Sequence, residues 1–121
     1  MARILVIDDE PMMRETLHAM LQSGGHRVVA AVDGRDGLAK MRAERADLVI
    51  TDIIMPEMEG VEALLTLLEE FPGLKVIAIS GGGRTGTHDF LGVAAKLGAA
   101  RTLQKPFSRA ALLEAVEACL S

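Results

Sequence analysis

Apolar residues fall along this chain in two alternating rhythms. Ile4-Leu5-Val6-Ile7 is a short continuous run rich in β-branched side chains, the pattern of a strand covered on both faces. It stops at Asp8-Asp9-Glu10. Pro11 then opens a helix whose apolar positions, Met13, Leu17, Met20 and Leu21, recur at helical spacing until Gly24-Gly25. Val28 to Val32 reads as a second strand and Asp33-Gly34 as a turn. A helix is expected from Asp36 to Glu44, with Leu38 and Met41 inward. A third strand starts at Leu48-Val49-Ile50-Thr51 and ends in Asp52, and its loop runs from Met55 to Gly60. Val61, Leu64, Leu65 and Leu68 predict the buried face of a third helix, closed by Phe71-Pro72-Gly73. Val76 to Ile79 is a fourth strand ending in Ser80. A glycine-rich loop over 81–87 leads to a helix from about His88 to Leu97, stopped by Gly98. Ala100 to Leu103 is a weak fifth strand. Ser108 is placed to cap a last helix with Leu112, Leu113, Val116 and Leu120 inward.

Five strands alternating with five helices predict an α/β domain: a doubly wound, five-stranded parallel sheet with helices on both faces. The 121 residues suit one domain, and half of them are hydrophobic, enough for one sizeable core. Charged residues make up 25% with a net charge of −4, which supplies no basic face for nucleic acid. Trp and Tyr are absent, so stacking platforms for bases are poorly supplied. The single cysteine, Cys119, allows no intrachain disulfide and favours a reducing compartment. No apolar run approaches the roughly 20 residues that span a bilayer. The expectation is a cytoplasmic protein acting away from membranes and nucleic acid.

In a parallel sheet all strand C-termini share one edge, where ligands bind. That edge receives Asp8 and Asp9 from strand one, Asp52 from strand three and the Ser80 hydroxyl from strand four. The loop after strand five adds Lys105. Clustered carboxylates repel unless a cation joins them. Acidic oxygen ligands favour a hard ion, and Mg2+ suits a few carboxylates together with water and a phosphoryl oxygen. A carboxylate flanked by such an ion, a lysine and a hydroxyl can act as a nucleophile toward phosphorus. The residues therefore point to a phosphate-handling site on Asp52. Competing features are weaker. Gly81 and Gly86 are spaced as in a nucleotide-binding loop, but Thr87 stands where its lysine would be. His18, His26 and His88 show no ligand spacing, and no histidine is placed beside Cys119 in sequence.

Four segments together resemble the receiver domain of bacterial two-component response regulators, of the single-domain chemotaxis kind. They are Asp8-Asp9, Asp52-Ile53-Ile54-Met55-Pro56-Glu57-Met58-Glu59-Gly60, Ser80, and Lys105-Pro106-Phe107. The resemblance covers residues 1–121 and implies a flavodoxin-like fold with strand order 2-1-3-4-5 and no output domain. It implies a phosphorylation-activated switch rather than an enzyme. Asp52 would take a phosphoryl group from a histidine kinase or histidine phosphotransfer protein. Mg2+ would be held by Asp8, Asp9, Asp52 and the backbone carbonyl of Ile54. Ser80 and Lys105 would bind the phosphoryl group, with Met55, Pro56, Gly81 and Gly82 in the loops beside it. The Lys105-Pro106 peptide is expected to be cis. Output would pass through a downstream protein bound on the face of helix four, strand five and helix five, or through onward phosphotransfer. The chain would act as a monomer or weak homodimer. The family usually carries an aromatic switch residue where this chain has Thr102, and Gly82 offers no side chain beside the phosphoryl group. These two departures support a competing expectation, a receiver-like module that binds its partner constitutively. A phosphatase with an aspartyl nucleophile would need a second acid two residues on, where Ile54 stands.

Overall fold

Strand β1 (Arg3–Ile7) sits between β2 (Arg27–Ala31) and β3 (Leu48–Asp52), and β4 (Lys75–Ser80) and β5 (Arg101–Gln104) extend the sheet beyond β3. All four pairings are parallel, so the strand order is 2-1-3-4-5 as expected. The computed structural model describes residues 2–53, 59–80 and 90–121. Helices α1 (Pro11–Ser23), α2 (Gly34–Ala43), α3 (Glu59–Glu70), α4 (Phe90–Leu97) and α5 (Arg109–Leu120) connect and follow the strands. The loop positions Ile54, Met55, Pro56, Gly81 and Gly82 lie outside the described residues.

Alternation along the strands divides the core in two. Ile4, Val6, Leu48, Ile50, Ile77 and Ile79 face α1 and α5, where Leu17, Leu21, Leu112 and Val116 cover them. Leu5, Ile7, Val49, Val76 and Ala78 face the other way, toward Met41, Leu64, Leu67 and Ala94 of α2, α3 and α4. The central strands are apolar on both faces for this reason.

Local chemistry sets the helix ends. Pro11 occupies the first turn of α1, where its missing N–H costs nothing. Gly25, at φ +88°, turns the chain out after that helix. Asp33 is an N-cap: its carboxylate accepts from the Asp36 N–H at 2.7 Å. Gly34, expected in a turn, is therefore the first residue of α2. The Ser108 hydroxyl accepts from the Ala111 N–H at 3.0 Å and caps α5 as anticipated.

The expected face of α3 needs correction. Ala63, Leu64 and Leu67 are buried in the core, whereas Leu65 is 44% exposed. Leucines at 64, 65, 67 and 68 satisfy more than one helical face, and the sheet selects the stripe through 64 and 67. On α5 the buried positions are Leu112, Ala115, Val116 and Cys119, with Leu113 and Leu120 at the margin.

Candidate functional site

The register of the sheet brings the acids together. Ile7 pairs with Thr51, so the next residues, Asp8 and Asp52, leave adjacent strands at the same edge. Asp8 is 1% exposed and Asp52 6%, while Asp9 faces solvent. One carboxylate oxygen from each of Asp8, Asp9 and Asp52 lies within 4.8 Å of the others. Lys105 reaches into this cluster from the turn between β5 and α5. Its Nζ donates to Asp52 Oδ2 at 2.8 Å and lies 3.6 Å from Asp8 Oδ2. The Lys105 backbone N–H donates to the Ser80 carbonyl at 2.8 Å, which ties this turn to the end of β4. The Lys105-Pro106 peptide is cis, as the resemblance implied.

Asp8 is held on three sides. Its N–H donates to the Ala31 carbonyl at 3.2 Å. Its Oδ1 accepts from the Glu10 N–H at 2.8 Å, closing a small turn after β1. Its carbonyl oxygen accepts from Arg14 Nη1 at 2.8 Å. The remaining oxygen, Oδ2, is buried and accepts no hydrogen bond among the described residues. A buried carboxylate oxygen without a donor is costly unless something cationic meets it. Burial pushes the Asp8 carboxyl above the usual carboxylate range. The Glu10 amide and the Lys105 ammonium pull it back only in part, and the charges of Asp52 and Asp9 raise it further. For Lys105, burial opposes the charged form. The hydrogen bond to Asp52 and the charges of Asp52, Asp8 and Glu10 outweigh it, so the ammonium is held more firmly than usual. Three converging carboxylates with one oxygen lacking a donor fit a hard divalent cation.

Ser80 is buried at the end of β4 and 1% exposed. In register its β5 neighbour is Gln104, while Thr102 lies half-buried beside Ala78, further from the acidic edge. The structure thus brings together Asp8, Asp9, Asp52 and Lys105, with Ser80 joined to Lys105 through the backbone. Arg14 was not singled out from the sequence. Its signal is faint: one turn into α1, an arginine reads as a solvated helix charge. Among the described residues no helix is long and apolar enough to cross a membrane.

Comparison with known proteins agrees with this geometry. The profile of the response regulator receiver domain matches residues 4–117. Protein PilH of Pseudomonas aeruginosa is 37% identical over 132 residues, covering 100% of this chain and 99% of PilH. Chemotaxis protein CheY of Treponema pallidum is 37% identical over 121 residues, covering 98% of this chain and 82% of that protein. The solved structure of response regulator protein TrrA from Thermotoga maritima, in complex with Mg2+-BeF, superposes with a TM-score of 0.85. It is 31% identical and covers 99% of this chain and 100% of TrrA. A parallel sheet in the order 2-1-3-4-5, with its acids and lysine at one edge, and a family match over nearly its whole length place this chain in the response regulator receiver domain family, whose members are phosphorylation-activated switches.

Proposed function

We propose that Asp52 is the phosphoacceptor of this receiver domain and that Asp8, Asp9, Asp52 and the Ile54 carbonyl hold Mg2+ beside it. The observation that carries the reading is the partly buried contact of Lys105 Nζ with Asp52 Oδ2 at 2.8 Å, next to the Asp8 and Asp9 carboxylates. TrrA, bound to Mg2+-BeF, supports the choice of ion. Receiver domains are phosphorylated by histidine kinases and act on downstream partners. The donor here would be the phosphohistidine of such a kinase or of a phosphotransfer protein, met in the cytoplasm.

The chemistry follows from the placement. An Asp52 carboxylate oxygen attacks phosphorus, a P–O bond forms, and the P–N bond of the phosphohistidine breaks. The electron pair of that bond leaves with the imidazole. Lys105, already beside Asp52, stays close enough to neutralise charge on the phosphoryl oxygens. The Ser80 hydroxyl donates to one of them. Mg2+ would offset the charge of the carboxylates and the incoming phosphoryl group. Asp8 and the Glu10 amide keep the acidic pocket in shape without taking part in bond changes.

Output reaches the face of α4, β5 and α5 by a short route. Lys105 directly follows β5, the edge strand, and precedes α5. A shift of its ammonium on phosphorylation moves the turn joining those elements and biases which partner surface is populated.

The test is intact mass after incubation with acetyl phosphate and Mg2+, for the native chain and for Asp52→Asn. One added phosphoryl group in the native chain, absent from the variant and absent when the ion is chelated, is expected. An Asp52→Asn chain that gains the same mass would move the acceptor elsewhere.

A further inference from the structure

We propose that Arg14 is a positioning residue for the divalent ion: it fixes the turn that aims Asp8 Oδ2 into the acidic cluster. The proposal rests on the reading of Asp8, Asp9 and Asp52 as the metal-binding acids, and extends it to a residue outside the acidic cluster. Three observations carry it. Arg14 Nη1 donates to the Asp8 carbonyl at 2.8 Å, and the Arg14 backbone N–H donates to the Glu10 carbonyl at 3.0 Å. The Glu10 N–H in turn donates to Asp8 Oδ1 at 2.8 Å. Arg14, Glu10 and Asp8 therefore form a closed ring of hydrogen bonds around the turn between β1 and α1. The ring leaves Oδ2, which is buried, accepts no hydrogen bond among the described residues and has the Lys105 ammonium 3.6 Å away, as the oxygen turned toward the acidic cluster.

A carboxylate can rotate about its Cβ–Cγ bond and so exchange its two oxygens. Here the Glu10 amide prevents that, and the amide stays in place because the start of α1 is clamped to Asp8 by the guanidinium. Groups that orient a ligand without touching the ion commonly change metal affinity by an order of magnitude or more. Arg14 also carries a positive charge, which by itself repels a cation. The two roles predict opposite signs. A charge-only Arg14 weakens metal binding, and its removal tightens it. A positioning Arg14 strengthens binding, and its removal weakens it.

Arg14→Met and Arg14→Gln both remove the charge, and neither side chain reaches the Asp8 carbonyl as arginine does. Arg14→Lys keeps the charge and much of the reach. Mn2+ affinity, read from the electron paramagnetic resonance signal of the free ion, needs no phosphoryl chemistry. The expected result is binding about tenfold weaker in both neutral variants, with Arg14→Lys restoring most of it. Thermal unfolding of each variant without the ion shows whether it is folded. Should Arg14→Met fail that check, Arg14→Gln carries the same comparison. Neutral variants that are folded and bind Mn2+ as tightly as the native chain, or more tightly, overturn the proposal and leave the metal site standing. A native chain that binds no Mn2+, with Asp52→Asn equally silent, overturns the metal site itself and the proposal with it.

Discussion

The surroundings of Lys105 and Asp8 raise the pKa of both. Lys105 lies within 3.6 Å of both buried carboxylates, so Lys105→Met leaves Asp52 and Asp8 facing each other without it. The variant should lose about 1–3 kcal/mol of stability in the absence of divalent ion, measured by urea unfolding, and regain part of it when Mg2+ is added. Unchanged stability would mean that solvent already screens the pair. For Asp8 the sign runs the other way from most carboxylates. Its pKa in the folded protein is raised, chiefly by burial, so the folded state holds this proton to a higher pH than the unfolded chain does. The resulting stabilisation is complete below the unfolded pKa and is lost as pH rises through the raised one. Asp8→Asn mimics the protonated form and should be more thermostable than the metal-free native chain at neutral pH. The gap should close as pH falls through the raised pKa. For the same reason Mg2+ affinity should fall on acidification, and begin to fall at a higher pH than an ordinary aspartate would give. Of this site, Asp8, Asp9, Asp52, Ser80 and Lys105 are legible in the sequence because each ends a strand or follows one. The clamp from Arg14 to a backbone carbonyl is not, since side-chain patterns carry no information about which carbonyl a guanidinium meets.

Gly37 shows at the scale of the element what a pattern of apolar residues omits. It lies in the middle of α2, where alanine would be worth up to about 1 kcal/mol by helix propensity alone. A Cβ built there would lie 2.4 Å from Ile7 Cδ1 and 2.8 Å from Ile7 Cγ1. The glycine lets α2 settle directly on β1, the strand that delivers Asp8. Gly37→Ala should therefore destabilise, by about 1–3 kcal/mol, because overpacking outweighs propensity. Ile7→Val removes the nearer of the two clashing atoms, so the double variant should be less destabilised than the sum of the singles. Additive effects in chemical denaturation would show that Ile7 is not what Gly37 accommodates. Helix α3 teaches the complementary lesson. Leu64 and Leu67 are buried and Leu65 is not, yet all three have the same hydropathy. Periodicity finds the helix, but the angle at which it meets the sheet decides which leucines are buried. The start of α2 shows the same limit: a capping aspartate at 33 and a glycine at 34 look like a turn until the chain continues helical past them.

Across the molecule, one sheet separates two apolar layers, and β1, β3 and β4 contribute to both. Loss of either layer therefore removes support from the same strands. Leu64→Ala on one side and Leu112→Ala on the other should each cost about 2–5 kcal/mol and move a single unfolding transition. Two resolved transitions by circular dichroism would argue for layers that melt separately. The topology was legible because alternating strands and helices leave few right-handed arrangements. The location of the site followed from it, since parallel strands discharge their C-terminal residues at one edge. That edge has a further property. Three carboxylates against one ammonium leave an excess of two negative charges, the amount that one divalent ion carries. Once bound, the ion would act as a missing structural part, because it binds the folded chain and not the unfolded one. A chelator should then behave as a mild denaturant of this protein, lowering its melting temperature in the absence of any phosphodonor. The domain's resistance to heat would in effect report how much free Mg2+ surrounds it.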